Sequence, residues 1–167
     1  MTTRSVKSLI ISPDTGLFEA AQPGDILQNA ATSVQIVSVT NGESSAALVK
    51  CTPVYISGNS AVKRAQANAS GTATVIGLIF SGSVIADASG LVQTDDTFEA
   101  TTDEWDTITG DTGGLVFNTH YFLDASNPGK LTKTVPDQTI SGNYNTHVGL
   151  AMSTRIMDLQ ITSPLRF

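Results

Sequence analysis

Charge is scarce in this chain. Only 14% of its 167 residues are charged, and 9 Lys and Arg face 15 Asp and Glu. Nucleic-acid binding needs clustered cations to displace counterions, so direct contact with DNA or RNA is not expected. There is a single cysteine, Cys51. It excludes an internal disulfide framework and fits synthesis in a reducing cytoplasm. With no CxxC partner, Cys51 reads as a small buried apolar group. No stretch approaches the roughly 18 apolar residues of a membrane span, so no membrane partner is expected. The basic start, Met1 to Lys7, is followed only by Leu9-Ile10-Ile11, too short for a signal-peptide core. The Asn68-Ala69-Ser70 glycosylation pattern therefore has no evident use.

Recognisable chemistry is also missing. The chain has two histidines, and no GxSxG, HExxH or P-loop pattern. Gly110 to Gly114 is glycine-rich, but no helix signal follows it to present N–H groups to a phosphate. The adjacent carboxylates Asp95-Asp96 and Asp103-Glu104 would point to opposite faces of a strand, whereas acid–base work needs them at one site. No catalytic residue, metal ligand set or cofactor is expected.

What the chain does have is β pattern. Apolar residues make up 40%, enough for a packed core. Val34 to Thr40 reads as a strand, with Asn41-Gly42 as a hairpin turn leading into Ala46 to Cys51. Thr72 to Phe80 is the most apolar run and reads as a central strand covered on both sides, or with one face at a subunit interface. Gly77 within it suggests a bulge or a close backbone approach. Met157, Leu159 and Ile161 alternate with polar residues, as in a half-buried strand. The one short helix considered lies within Ala20 to Ala31, with Pro23 near its first turn. Turn residues recur about every ten positions, as an all-β sandwich or barrel requires. The expected fold is mainly β: a compact sandwich or barrel-like domain, an extended N-terminal arm, and at most short helices.

Two stretches share a pattern. Tyr55-Ile56-Ser57, Val62 to Ala65 and Val75 to Ile79 echo Tyr121-Phe122-Leu123, Leu131 to Thr134 and Val148 to Met152. Each is an aromatic-apolar strand, a turn, a polar strand, a loop, and an apolar strand containing Gly. The echo reads either as two copies of one β-unit, over 46–80 and 114–161, or as the general likeness of hairpins. Repeated units of this kind build surfaces and shells.

Charge is unevenly spread. No Lys or Arg occurs between Arg64 and Lys130, a span holding nine acidic residues from Asp87 to Asp124. That span reads as a solvated acidic face. A Ca²⁺ site around Asp103, Glu104, Asp106 and Asp111 is the sharper alternative, but the DxDxDG spacing is absent and Trp105 interrupts the group. Trp105 reads as packed under a loop. His120 and His147 each adjoin a strand of the second pattern, which could bring them near one another. Histidines in strands are more often packed or surface groups than ligands.

Residues 1–23 differ from the rest, and 24–167 form the β-rich domain. The first segment carries Pro13, Gly16, Pro23, Arg4 and Lys7. It reads as an arm with one strand at Ser8 to Ser12. The strand is ordered either by a strand edge on another molecule or as an edge strand of its own domain.

The run Thr52-Pro53-Val54-Tyr55-Ile56, Val62-Lys63-Arg64-Ala65 and Ala73 to Ile79, preceded by an extended arm, resembles the lambda-type head decoration (capsid cement) proteins of tailed phages. Gly113-Gly114-Leu115, Tyr121-Phe122-Leu123, Pro128 to Thr132 and Val148 to Ser153 are similar to a module common in phage decoration and fibre proteins. The resemblance implies a structural, non-enzymatic virion protein, made in the host cytoplasm and placed on the outer capsid surface. It implies a homotrimer at three-fold points that grips the major capsid protein with its arm and stabilises the mature head. Arg4, Lys7, Leu9, Ile10 and Ile11 are the candidate capsid-binding residues. Val75, Ile76, Leu78, Phe80, Tyr121 and Phe122 are the candidate trimer interface. The alternative is a tail-fibre, baseplate or head-fibre protein. A glycan-binding sandwich using Trp105 and Tyr144 as stacking platforms is a further class.

Overall fold

The computed structural model describes residues 34–166 and the backbone of two strands before them. The chain divides into two compact units, Met1–Ser33 and Val34–Phe167. In the first unit, β1 (Leu9–Ile11) pairs antiparallel with β2 (Phe18–Ala20), Leu9 opposite Ala20 and Ile11 opposite Phe18. One edge of the expected arm strand is thus taken by a local partner. Of the helix expected within Ala20 to Ala31, Ala20 ends β2 and the rest lies outside the described residues.

The second unit is mainly β. Its first part is a closed five-stranded barrel in the order β3 (Ile36–Asn41), β6 (Ala61–Arg64), β5 (Pro53–Ile56), β7 (Gly77–Ile79) and β9 (Ser89–Gln93). All neighbours are antiparallel except β3 and β6, whose parallel contact closes the barrel. β4 (Leu48–Val49) and β8 (Ser83–Val84) form a separate two-stranded ribbon. The rest is an open sheet in the order β10 (Asp96–Glu99), β14 (Ile156–Leu159), β13 (His147–Ala151), β11 (His120–Leu123) and β12 (Leu131–Thr132).

Barrel and sheet follow one strand plan. If the five strands of each are lettered a to e in chain order, both run c-b-d-e-a with antiparallel neighbours. Between a and b the barrel carries β4 and the sheet carries α1 (Thr102–Thr109). Two glycines mark equivalent places. A Cβ on Gly77 would stand 2.2 Å from the Gln93 carbonyl oxygen, and one on Gly149 would stand 2.4 Å from that of Asp158. Both strand d positions therefore admit no side chain. Gly77 pairs with Val54 and Gly149 with Tyr121. The sequence echo set Tyr55 against Tyr121; the paired glycines move that alignment by one residue.

The Asn41-Gly42 hairpin does not form. β3 ends there, but it pairs with β9 and β6, not with β4. Asn41 is fully buried and works as a staple instead. Its Nδ2 donates to the carbonyls of Ala46 and Val84, and its Oδ1 accepts from the Glu43 amide. A buried amide satisfied on both ends is stable there, and outside β3 it binds the ribbon to the barrel.

Val39, Leu48, Val54, Val62, Ile79, Val84 and Val92 form one buried cluster. A larger one joins Leu78, Val75 and Cys51 to Phe98, Trp105, Tyr121, Val148 and Met157 of the second half. Alternation along β7 sends Ile79 to the first cluster and Leu78 to the second. The run from Val75 to Ile79 is therefore apolar on both faces because the chain covers both itself, while Phe80 at its end is exposed. Only Gly77–Ile79 of that run is strand.

The acidic stretch holds the helix. Thr101 caps α1: its hydroxyl accepts from the Glu104 amide while Glu104 Oε2 accepts from the Thr101 amide. This capping box satisfies two otherwise orphaned donors. Asp103 and Glu104 in the first turn suit the positive end of the helix. Gly110, at φ 73°, ends it in the left-handed conformation. Trp105 and Ile108, one turn apart, bury the inner face. Trp105 is thus at the centre of the core, with its ring edge-on to Phe98 at 5.7 Å, and not under a loop.

Candidate functional site

The outer wall of the barrel carries an apolar surface. Along β3, Val39 points into the barrel core, so Ile36 belongs to the opposite, outer set with Ser38 and Thr40. Ile36 is 43% exposed, Phe80 39% and Leu91 39%. The Phe80 amide donates to the Leu91 carbonyl at 2.8 Å, which sets these two side by side. Beside them opens a groove of about 480 Å³, lined by Val34, Ile36, Phe80, Thr97 and Ala100 with Lys50, Glu99 and Arg155. Phe80 rests edge-on against buried Phe98 at 6.1 Å, which fixes its ring. The charges around it are paired: Lys50 with Glu104 at 3.6 Å, and Arg155 with Glu99 at 3.3 Å. Burial raises the Glu104 carboxyl, but hydrogen bonds from Thr101 and the nearby Lys50 outweigh it and hold it below its usual range. An anchored aromatic among aliphatic groups, bordered by paired charges, is the make-up of a protein-binding surface.

No family model matches the chain. No curated protein matches it either.

Of the residues expected at a trimer interface, Val75, Leu78 and Tyr121 are buried in the chain's own core. They leave nothing for a neighbour to touch. Ile76 is partly buried against the barrel cluster. Phe122 is half-buried on the second sheet, its ring 5.4 Å from that of His147. Phe80 alone of the six lies in the apolar groove. Ile36 and Leu91 were missed. Their signal is an apolar residue on the otherwise polar parity of a strand: Ile36 beside Ser38 and Thr40, Leu91 beside Ser89. Arg4 and Lys7 lie outside the described residues. Leu9, Ile10 and Ile11 form β1.

The carboxylates of the Ca²⁺ alternative are otherwise engaged. Asp106 accepts from the amides of Gly113 and Gly114 at 2.9 and 2.6 Å, and Asp111 pairs with Lys133 at 2.8 Å. Gly114 has φ 87°, and a Cβ there would stand 2.2 Å from the Thr154 carbonyl oxygen. The glycine-rich segment is therefore a tie between α1 and the β13–β14 turn. Among the described residues no group of three or more His, Cys, Asp or Glu is placed to hold a metal.

Cys51 is fully buried beside β7, its amide bonded to the Ile79 carbonyl at 2.9 Å. Burial, reinforced by the Glu104 charge and only partly opposed by Lys50, pushes its thiol far above the ordinary range. The thiolate is the reactive form. Native protein is expected to leave Ellman's reagent unreacted at pH 8, with one thiol per chain released on unfolding in guanidinium. Rapid reaction of the native protein would show that Cys51 is open to solvent.

Proposed function

We propose that this chain is a structural protein of a tailed-phage virion. In this reading it binds the outer surface of the icosahedral capsid as a homotrimer and stabilises the mature head. The observation that carries the reading is the exposed Ile36–Phe80–Leu91 surface, a rigid apolar patch of the sort that packs against another protein. The resemblance of the Thr52 to Ile79 and Gly113 to Ser153 segments to phage decoration modules supports it. The acidic α1 region suits a face turned to solvent. A shell under outward pressure from packed DNA gains stability from any protein that bridges its subunits. Many copies on one shell turn modest contacts into a large total effect.

The N-terminal unit supplies the second contact in this reading. β1 has one edge engaged by β2, and its other edge is the candidate for strand addition to the capsid protein. Each main-chain hydrogen bond so formed contributes about 1 kcal/mol net, and Arg4 and Lys7 add a salt-sensitive attraction. Deleting Met1 to Ser12 is expected to leave the 34–166 body folded and to lower occupancy on undecorated heads more than tenfold. Occupancy would be read by sedimenting the heads, and head survival by heating them. Full occupancy by the truncated protein would remove the arm from this role. Binding of the intact protein to tails and not to heads would move the protein to the fibre or baseplate class.

A further inference from the structure

The second sheet brings the chain's two imidazoles together. The pairing of β11 with β13 shifts by one residue between Tyr121 and Phe122: Tyr121 faces Gly149, while Phe122 faces His147. Val148 is the extra residue, and it is buried. In a regular strand the two-residue alternation would put His147 on the same side as Gly149 and Tyr121, in the core. The bulge turns it outward, to the side of His120 and Phe122.

His120 Nδ1 then lies 2.9 Å from His147 Nε2. His147 Nδ1 is 3.0 Å from the Gln160 carbonyl oxygen. A carbonyl oxygen only accepts, so Nδ1 of neutral His147 carries the proton and its Nε2 presents a lone pair. A ring held by one nitrogen to a backbone carbonyl, so that the other presents its lone pair in a fixed direction, is how metal-ligating histidines are oriented. The Phe122 ring, at 64° to that of His147, borders it on the same face. In this resting arrangement His120 Nδ1 carries the shared proton. Its shift to Nε2, the other neutral tautomer, frees both nitrogens, and a turn of the rings out of the hydrogen-bonded alignment lets the two lone pairs converge on one ion.

We propose that His120 and His147 chelate a divalent transition-metal ion, Cu²⁺ above all, with water completing its coordination. Two neutral imidazole nitrogens suit a borderline divalent ion, and Cu²⁺ stands highest in the affinity order for nitrogen ligands. The pair belongs to β11 and β13 of the second sheet, and the site does not depend on how the protein assembles.

The test is titration of the full chain with Cu²⁺ in a weakly coordinating buffer, followed by electron paramagnetic resonance of the loaded protein. Expected are one Cu²⁺ equivalent that depends on both rings, and hyperfine splitting from two imidazole nitrogens. His120→Ala and His147→Ala should each weaken that equivalent at least tenfold. The more conservative His120→Gln should do the same with an unchanged circular dichroism spectrum. Carbethoxylation of the histidines in wild-type protein should abolish it without any substitution. Ni²⁺ and Zn²⁺ should bind more weakly, in that order. Equal Cu²⁺ binding by wild type and variants, or a spectrum lacking two imidazole nitrogens, overturns the proposal. So does tighter binding of Zn²⁺ than of Cu²⁺.

Discussion

Trp105→Ala is expected to destabilise the folded body by about 3–5 kcal/mol, the usual cost of emptying a large core site. Trp105 is fully buried at the centre of the larger core cluster. Its ring meets Phe98, and its Nε1 donates to the Arg155 carbonyl at 2.9 Å. The truncation therefore leaves a cavity and removes one of the two hydrogen bonds to that carbonyl, which keeps the Ala100 amide at 3.0 Å. Proteins of this size have roughly 5–15 kcal/mol of stability in all, so the loss is a large share of it. The midpoint of thermal unfolding should fall by about 10–20 °C. Trp105→Phe keeps most of the volume and loses only the indole donor, so it should cost much less. A Trp105→Ala midpoint within a few degrees of wild type would mean that α1 is not part of the cooperative core.

On the proposed function, Ile36→Asp and Leu91→Asp are expected to abolish self-association and head binding while leaving the fold intact. Both side chains stand on the outer barrel wall and are about two-fifths exposed. The folded monomer thus hydrates an Asp at these positions at little cost. In an interface the same carboxylate would be desolvated without a partner, which costs several kcal/mol per site. A trimer repeats that penalty three times. Sedimentation velocity at micromolar concentration should show a shift to monomer, and occupancy on heads should fall below detection. Melting temperatures should stay within a few degrees of wild type. Unchanged assembly and occupancy in both variants would remove this wall from any interface and take with it the observation on which the proposed function rests.

The two variants also separate what local pattern can say from what it cannot. The β character was legible because strand alternation and regularly spaced turn residues are local properties. The close approach at Gly77 was legible for a similar reason: glycine weakens a strand, so one kept inside an apolar run marks a place where a side chain does not fit. The capping box Thr101-Thr102-Asp103-Glu104, followed by Trp105 and Ile108 one turn apart, was equally present in the sequence. It signals α1, but the density of acidic residues there reads as a solvated face or a Ca²⁺ site. The carboxylates there cap the helix, pair with Lys133 and bind the Gly113–Gly114 amides.

Other features depended on contacts far apart in the chain. Asn41-Gly42 has the local chemistry of a hairpin. β3 instead finds its antiparallel partner in β9, about fifty residues on, and Asn41 is buried as a staple. The apolar excess of Val75 to Phe80 looked like an interface because the sequence does not show that a second sheet packs on the outside of the barrel. That sheet takes up Val75 and Leu78 and leaves Phe80 beside the groove.

By itself, then, the sequence determined the secondary-structure class, the close approach at Gly77 and the scarcity of charge, all carried by neighbours in the chain. Only the tertiary structure decided which apolar residues remain exposed, since burial depends on what the rest of the chain brings to each face. It alone decided that His120 and His147 meet, because a one-residue bulge reverses the side from which His147 projects, and register is a property of two strands together.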